Sequence, residues 1–549
     1  MPRIVFDAER LERDYGFRPQ DRLLFSAIRL DSHRFVMPLV YEGDEGEVLL
    51  VRQQEQGNVL SAGVPKERIR FYEPWVTIDP RPVADVDVAR SLPGLVRELS
   101  GNATVELDER APWIHYSALS GEVEVKVPRS PSSRAVVYEV DQAVVLDRFR
   151  AWRRDGVEVA RAIVGTVPHL SGLQADLGHE TDTRFSRLDD VARELDVTAL
   201  LLSSPPNLSE VTGQRLPDGV TALWLAADQR LLLIAEEGVR SVPGTPLGRH
   251  ADVAEAVVSH TGQVRVGVEE QWEHTSLGLD LVDRGVTPVS ASRSLGSWRD
   301  VRDHEDLAFQ VIAARASVTA IEAAVAWGHE QLDAGAAFTE LDMHAVYLEA
   351  LDRFRLDHAV PFAIEPYFTN LHSSQRMLFP GPPTEFPIDA STTCVQLDAG
   401  VKVTIDGVVV ATSDMARSLL RTSEGREAYE ILTRAVREAI IGKLRPGVVC
   451  EDVHAATLEH LATVRPRMVE LGLLGPEVDF DTEYRKRNVG HLMGKQESFA
   501  NELRPGYRHV LTVGSYGAAE IPWRYGTHAI GTEDLWFIGS DRTYNLTLA

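Results

Sequence analysis

Cysteine is nearly absent from these 549 residues: Cys394 and Cys450 are the whole complement. Two thiols exclude a disulfide framework and point to a reducing compartment. No uninterrupted apolar run reaches the ~20 residues that a membrane-spanning helix needs. The opening MPRIVFDAERLERDYG lacks the apolar core of a signal peptide, so the cytoplasm is the expected location. Positive charge is also scarce, with 57 Lys and Arg against 82 Asp and Glu and a net charge of −25. That balance argues against a nucleic-acid backbone as main partner, since phosphate binding needs a basic face. It argues equally against an anionic membrane surface. What is plentiful is apolar surface, 44% of residues, enough for real cores. The length predicts two to four domains.

The chain shows a weak self-similarity. Residues 23–56 and 199–236 each give an apolar strand, a polar loop, a second strand, an acidic turn and a third strand. A helical stretch follows in each, Val86–Leu99 and Val253–His260. Then come short strands ending in acids, ATVELDE at 103–109 and VRVGVEE at 264–270. A last apolar segment closes each unit near 122–128 and 282–289. Short apolar strands alternating with helices predict α/β domains covered on both faces. The expected plan is two tandem α/β domains, 1–140 and 183–297, joined by a helical linker over 141–182. In that linker Trp152 reads as packing and Arg153-Arg154 as solvated charge. A second joint falls at Ser292–Asp303, and an α+β domain fills 304–549. The last domain reads helix pair, strands, helix pair, strands, with helices at Leu341–Phe354, Glu424–Leu444 and Glu451–Thr463. Such an order suggests internal two-fold character with a site between the halves.

The sharpest feature lies inside that domain, in LDAGVKVTIDGVVVATSDMAR. Asp406-Gly407 is a strong two-residue hairpin signal, because both turn residues must take positive φ. Folding about it brings Asp398 and Asp414 nearly side by side. Two carboxylates so placed repel unless a cation or a proton lies between them. Carboxylate and imidazole suit divalent ions of the manganese, cobalt or zinc kind. Further along stand His491 in Gly490-His491-Leu492-Met493-Gly494 and Glu533 in Thr532-Glu533-Asp534. A lone histidine in an apolar stretch is more often structural, and a lone Glu-Asp pair more often a solvated surface. The order of all four is what carries information. Cys394, four residues before Asp398, reads as a small buried hydrophobe. Trp523-Arg524-Tyr525 reads as a pocket rim, because it lies between Glu520 and Glu533.

That order resembles the pita-bread family of creatinase, methionine aminopeptidase, prolidase and aminopeptidase P. The resemblance covers about 304–549, and SSPPNLSEVTG in 183–297 is similar to the family's creatinase-type N-terminal domain. It implies an α/β + α+β architecture: two tandem creatinase-N-like α/β domains followed by a pita-bread α+β domain. The same plan is similar to three-domain aminopeptidase P and to the large subunit of the histone chaperone FACT. By resemblance, Asp398, Asp414, His491 and Glu533 are metal ligands, and His372 steadies substrate and tetrahedral intermediate. Departures from the pattern bear on the chemistry. The spacing between Asp398 and Asp414 is longer than the family's usual hairpin. The glutamate expected after a V-x-T-x-E strand meets Gly514 in Val510-Leu511-Thr512-Val513-Gly514. Strand register favours Gly514 as its place; spacing from Glu533 favours Glu520. A second histidine falls on Ser498, and an arginine expected two before Glu533 is Gly531.

Three functions follow from the resemblance. The first is a Xaa-Pro aminopeptidase-like or prolidase-like hydrolase acting on a small peptide or amino-acid-like substrate. Glu520 or Glu533 would take up a proton, and His372 would stabilise the oxyanion. The second is a creatinase-like C–N hydrolase or lyase with one metal or none, toward which the losses and the polar Gln496-Glu497 point. The third is a non-catalytic binding protein like the FACT subunit. The implied cofactor is a divalent metal, Mn2+ first with Co2+, Zn2+ or Fe2+ as alternatives, as one ion, two or none. A homodimer is the expected assembly.

Overall fold

The computed structural model describes residues 1–16, 38–52, 59, 63–72, 87–101, 103–178, 181–301, 304–373, 383–478, 488–495, 497–525 and 528–548. They divide into two compact units, Met1–Arg150 with Asp182–Arg299 and Asp406–Val408, and Ala151–Thr181 with Asp300–Ile405 and Val409–Ala549.

The first unit holds two seven-stranded sheets. Five strands repeat between them in the same order and sense. In one, Gly46–Arg52, Leu39–Gly43, Arg3–Val5, Val105–Leu107 and Val125–Lys126 lie side by side. In the other, Arg230–Glu236, Val220–Leu225, Ala199–Leu202, Arg265–Val268 and Thr287–Ser290 do so. In both, the central strand is antiparallel to the second and parallel to the fourth. The strand equivalent to Ala199–Leu202 is therefore Arg3–Val5; the apolar run at 23–28, expected in that role, lies outside the described residues. The expected domain edge at 140 also moves. Ala135–Glu139 pairs with Arg230–Glu236 and with Thr245–His250, so it belongs to the second sheet. The joint read at Ser292–Asp303 begins with a helix, Ser292–Asp300. The two sheets meet where Trp113 N–H donates to the Glu273 carbonyl at 2.7 Å and Thr275 N–H to Ala111 at 2.9 Å.

All four residues of Ala199–Leu202 are buried, as a strand covered on both faces requires. The following Ser204-Pro205 starts a helix. The serine caps Asn207 N–H, and proline at the first helical position forfeits only an N–H that had no partner there. Beneath this turn lies Glu269, from the acidic VGVEE. Its buried carboxylate accepts Ser203 N–H at 2.6 Å, Ser204 N–H at 2.8 Å, Ser204 Oγ at 2.7 Å and Asn207 Nδ2 at 2.6 Å. Burial raises its pKa even against those four donors.

In sequence, the expected linker forms a helix at Gln142–Gly165 and a 3-10 segment at Pro168–Ala175. Trp152 is buried as read, but Arg153 is not solvated: it is buried and pairs with Glu305 at 3.6 Å.

The second unit repeats helix pair and strands. Helices Leu307–Asp333 and Glu340–Asp357 precede strands Ala363–Ser373, Cys394–Ile405, Val408–Thr412 and Met415–Leu420. Helix Ser423–Ala435 continues through π and 3-10 turns to Lys443, and Cys450–Glu470 follows. The latter passes Pro466, where a stop near Thr463 was expected. A five-stranded sheet then runs Glu497–Glu502, Gly490–Met493, Tyr516–Glu520, Glu533–Ile538 and Thr543–Asn545. Leu307–Asp333 is long and apolar enough to cross a membrane by composition, yet 72% of its most apolar window is buried within the fold. Both cysteines are free and buried, and burial pushes the Cys450 thiol up to about 12.

Replacing Glu269 by Ala leaves four donors unpaired, three of them buried. The first unit should lose about 2–4 kcal/mol, read as an earlier urea transition of its tryptophan fluorescence. An unchanged transition would show that water replaces the carboxylate at no cost.

Candidate metal centre

Asp398 sits mid-strand in Cys394–Ile405. On one side it pairs with Asn370, whose Nδ2 donates to Asp398 Oδ2 at 3.3 Å; on the other it faces Ala416. The Asp-Gly turn forms as expected, with φ of 51° at Asp406 and 80° at Gly407. The returning strand is not continuous, however. It stops at Thr412, whose N–H donates to the Gly494 carbonyl at 2.9 Å, and resumes at Met415 opposite Ala399. Ser413 makes the break: its N–H donates to Val401 O at 2.8 Å and its Oγ accepts Val401 N–H at 2.9 Å. So Asp414 does not stand beside Asp398. By the register beyond the break it falls two positions along, on the same face of the sheet.

From the second half of the domain come His491, Glu520 and Glu533. His491 follows Gly490, whose φ of 136° brings the strand close against Ala518 and Ala519. Its ring is 1% exposed, with Nδ1 3.2 Å from the Leu492 carbonyl and Nε2 3.6 Å from Asp414 Oδ2. A backbone acceptor at Nδ1 fixes the proton there and leaves the Nε2 lone pair for a metal. Glu520 and Glu533 are directly opposed in one antiparallel ladder. Opposed residues share a face, and like charges so placed repel unless a cation or proton intervenes. Asp414, His491 and Glu533 each offer a ligand atom, all within 4.8 Å of one another, and all three residues are buried. An ion with bonds of about 2.1 Å needs only small side-chain shifts to close that spread. Asp414 Oδ1 is buried with no hydrogen-bond partner among the described residues, as a carboxylate oxygen reserved for an ion would be.

The structure thus brings Asp414, His491 and Glu533 into one tight group, with Asp398 and Glu520 on the strands beside it. Gly514 and Glu520, the two places weighed for the expected glutamate, stand in different settings. Gly514 lies in a turn at φ 92°, its N–H bonded to the Ile538 carbonyl at 2.7 Å, before the strand begins at Tyr516. Glu520 ends that strand, facing Glu533. The apparent V-x-T-x-E segment ends in a turn at Val513-Gly514, and the strand that faces Glu533 begins after it. His372 is in register with Gln396, and its side chain lies outside the described residues. So do Gln496 and the side chains of Glu497 and Ser498. Trp523 is no pocket rim: it is buried, and its indole donates to the Leu473 carbonyl at 2.7 Å. The side chains of Arg524 and Tyr525 lie outside the described residues. Cys394 is a buried residue, as read, and its sulfur accepts Ala529 N–H.

Sequence reasoning missed what holds the group from behind. The Glu533-Asp534 pair is buried, not a solvated surface. Asp534 points to the other face of its strand and meets Arg417 at 2.6 Å, Arg437 at 3.0 Å, Asn545 at 2.8 Å and Thr547 at 3.1 Å. Arg417, from the SDMAR motif, also donates to the Glu533 carbonyl, so one guanidinium ties the strand after Asp414 to the strand of Glu533. Burial works against the Asp534 charge, but Arg417 and Arg437 hold its pKa below the ordinary carboxylate value. Tyr516 donates to the Thr412 carbonyl at 2.8 Å. Burial, then the charges of Asp414 and Glu533, lift its phenol well above its usual pKa, so it stays protonated as a brace.

Residues 311–539 match the model of metallopeptidase family M24. The C-terminal domain belongs to that family. Its fold is the pita-bread fold of metallopeptidase-type hydrolases. Among solved structures, X-prolyl aminopeptidase from Caenorhabditis elegans, described as a cytosolic enzyme with a di-nuclear active site, is similar over 100% of this chain and 86% of its own. It shares 11% identity at a TM-score of 0.61. Prolidase from Pyrococcus horikoshii matches over 67% of this chain and 99% of its own, at 15% identity and a TM-score of 0.50. The N-terminal domain of a FACT complex subunit from chickpea, Cicer arietinum, matches over 67% and 96%, at 14% identity and the same TM-score of 0.50. At these identities the likeness is one of fold. No curated protein sequence matches the chain.

Because its pKa is depressed, Asp534 stabilises the fold above the unfolded carboxylate value of ~3.9, and that contribution is lost as pH falls through the folded value. Asp534→Asn should cost about 3–5 kcal/mol at pH 7. The gap to the wild type should begin to narrow below about pH 4 and close only as pH falls through the folded value, where both carry a neutral group. Urea midpoints across pH test this; a gap independent of pH would remove the charge from the argument.

Proposed function

We propose that this chain is a metal-dependent hydrolase of the Xaa-Pro aminopeptidase or prolidase kind, acting on the amide of a small peptide. One observation carries the reading: Glu520 and Glu533 oppose each other in the ladder, beside Asp414 and His491. The residues fit a divalent metal. Asp398, Asp414, Glu520 and Glu533 would hold it with the Nε2 of His491. Carboxylate donors with one imidazole favour Mn2+ over softer ions, with Co2+, Zn2+ or Fe2+ as substitutes. With the imidazole neutral, four carboxylates carry four negative charges, which two divalent cations offset. When bound, such ions polarise a carbonyl and acidify water at neutral pH.

The protein's own groups supply the rest. Asp414 and His491 are buried and fixed, so they exclude bulk water from one wall of the site. Glu520, only half-buried, is the carboxylate placed to take up a proton and return it to a leaving amine. His372 is assigned to the substrate carbonyl, as oxyanion partner. Glu520 also weakens the case for a creatinase-like reaction. That reading drew on losses at three positions and on Gln496-Glu497, and with Glu520 taken as the glutamate, Ser498, Gly531 and Gln496-Glu497 are its support. A cytoplasmic homodimer is the proposed setting, in keeping with two buried, free thiols.

Asp414→Ala should reduce metal affinity by at least about 100-fold, measured by plasma mass spectrometry after dialysis. The variant should hydrolyse no Xaa-Pro dipeptide in Mn2+ while its circular dichroism stays that of the wild type. A wild-type protein that retains no metal and cleaves no member of such a panel would return the choice to the small-molecule and binding-protein readings.

A further inference from the structure

The site face carries one more polar side chain whose hydrogen bonds are incomplete. Gln396 lies two residues before Asp398 on the same strand, hence on the same face and about 7 Å along it. It pairs with His372 on one side, as Asn370 pairs with Asp398, and with Ser418 on the other, as Ala416 does. Its residue is 3% exposed, and its Oε1 is fully buried with no hydrogen-bond partner among the described residues. An unpaired buried amide oxygen costs free energy that leucine or methionine at this position would avoid.

Gly531, two residues before Glu533, explains how the amide is seated. A Cβ built there would come within 2.2 Å of Gln396 Nε2 and 2.4 Å of its Cδ. The amide therefore fills the space that any side chain at 531 would take. Backbone around it is already bound: Ser418 Oγ donates to the Gly531 carbonyl and accepts the Gly531 N–H, each at 3.0 Å. The Gly531 backbone is thus satisfied, while Gln396 Oε1 has no partner among the described residues.

Building on the peptidase reading, we propose that Gln396 is a substrate-positioning residue whose side-chain carbonyl accepts a backbone N–H of the bound peptide. The separation of about 7 Å from Asp398 is the span of about two extended residues. A peptide held by one group at the metal ligands thus presents its neighbouring N–H groups along the strand toward Gln396. Gly531 is the enabling partner: its missing side chain is what lets the amide lie there.

The test uses full-length protein loaded with Mn2+, with Ala-Pro and Ala-Pro-Ala as probes in calorimetry and in steady-state assays. Gln396→Met keeps the length of the side chain and removes the orphan acceptor. It should raise Kd and KM about fivefold to tenfold, change kcat far less, and leave Tm equal or higher, because an unpaired buried polar group is gone. Gly531→Ala, which displaces the amide without altering it, should reproduce the selective rise in KM. Wild-type protein that binds the peptides, with both variants binding equally well, overturns the role of Gln396 and leaves the peptidase reading standing. A Gln396→Met protein with lowered Tm and KM and kcat impaired together marks a merely structural amide and also overturns it. Wild-type protein that holds no Mn2+ and binds neither peptide overturns both.

Discussion

Repulsion among closely set carboxylates, most of them buried, is the constraint that organises the C-terminal domain. Glu520 and Glu533 face each other across one ladder, and Asp414 stands within reach of Glu533 and His491. Left alone, such a cluster would drive protonation or open the sheet. The fold answers from behind. Asp534, on the reverse face of the same strand, is locked by Arg417 and Arg437, and Arg417 reaches the Glu533 backbone as well. The strand cannot tilt its glutamate away from the cluster without breaking those charge-assisted bonds. Tyr516 does the same for the approach to Asp414 by holding the Thr412 carbonyl.

The chain buries carboxylates in three different ways, and the differences indicate function. Glu269 receives four neutral donors, and its pKa rises; a group so satisfied has nothing left to offer a ligand. Asp534 receives two arginines, and its pKa falls; it is a structural anchor. Asp414 has neither a set of donors nor a cationic side chain of its own, and one of its oxygens has no hydrogen-bond partner among the described residues. Only the third arrangement leaves coordination capacity open. Burial alone therefore does not mark a site; burial without internal compensation does.

Much of this was legible in the residues. The apolar runs, the acid-ended strands and the Asp-Gly turn gave element type and order. The repeat between the first two domains was read by setting 23–56 against 199–236, whereas in the sheets Arg3–Val5 is the strand equivalent to Ala199–Leu202. What failed did so for local reasons. Val510–Gly514 looks like a strand by composition, yet Gly514 at positive φ turns the chain, and the strand begins only at Tyr516. The break at Ser413 depends on its hydroxyl replacing a ladder partner for Val401, which no spacing rule reports. Ala135–Glu139 joins a sheet whose other strands begin some sixty residues later, a long-range pairing that local pattern does not encode. The burial of Asp534 could have been suspected from one signal: SDMAR supplies an arginine three residues after a proposed metal ligand, and that arginine needs a carboxylate.

The departures from the family pattern are not scattered at random over the site. The proposed metal-holding positions, Asp398, Asp414, His491, Glu520 and Glu533, all carry ligating side chains. The changes fall at Ser498 and Gly531, positions outside that set. Gly531 is not an empty gap, because Gln396 occupies its space with an uncharged amide. An uncharged amide in that space, with every proposed ligand kept, changes which groups a substrate would meet and leaves the ligands that would hold the metal. A domain that had abandoned catalysis would have no reason to keep mutually repelling carboxylates buried behind an arginine clamp, since replacing them with apolar residues relieves the repulsion. Retaining that cost, and altering only its surroundings, is the pattern of a site still shaped to hold an ion.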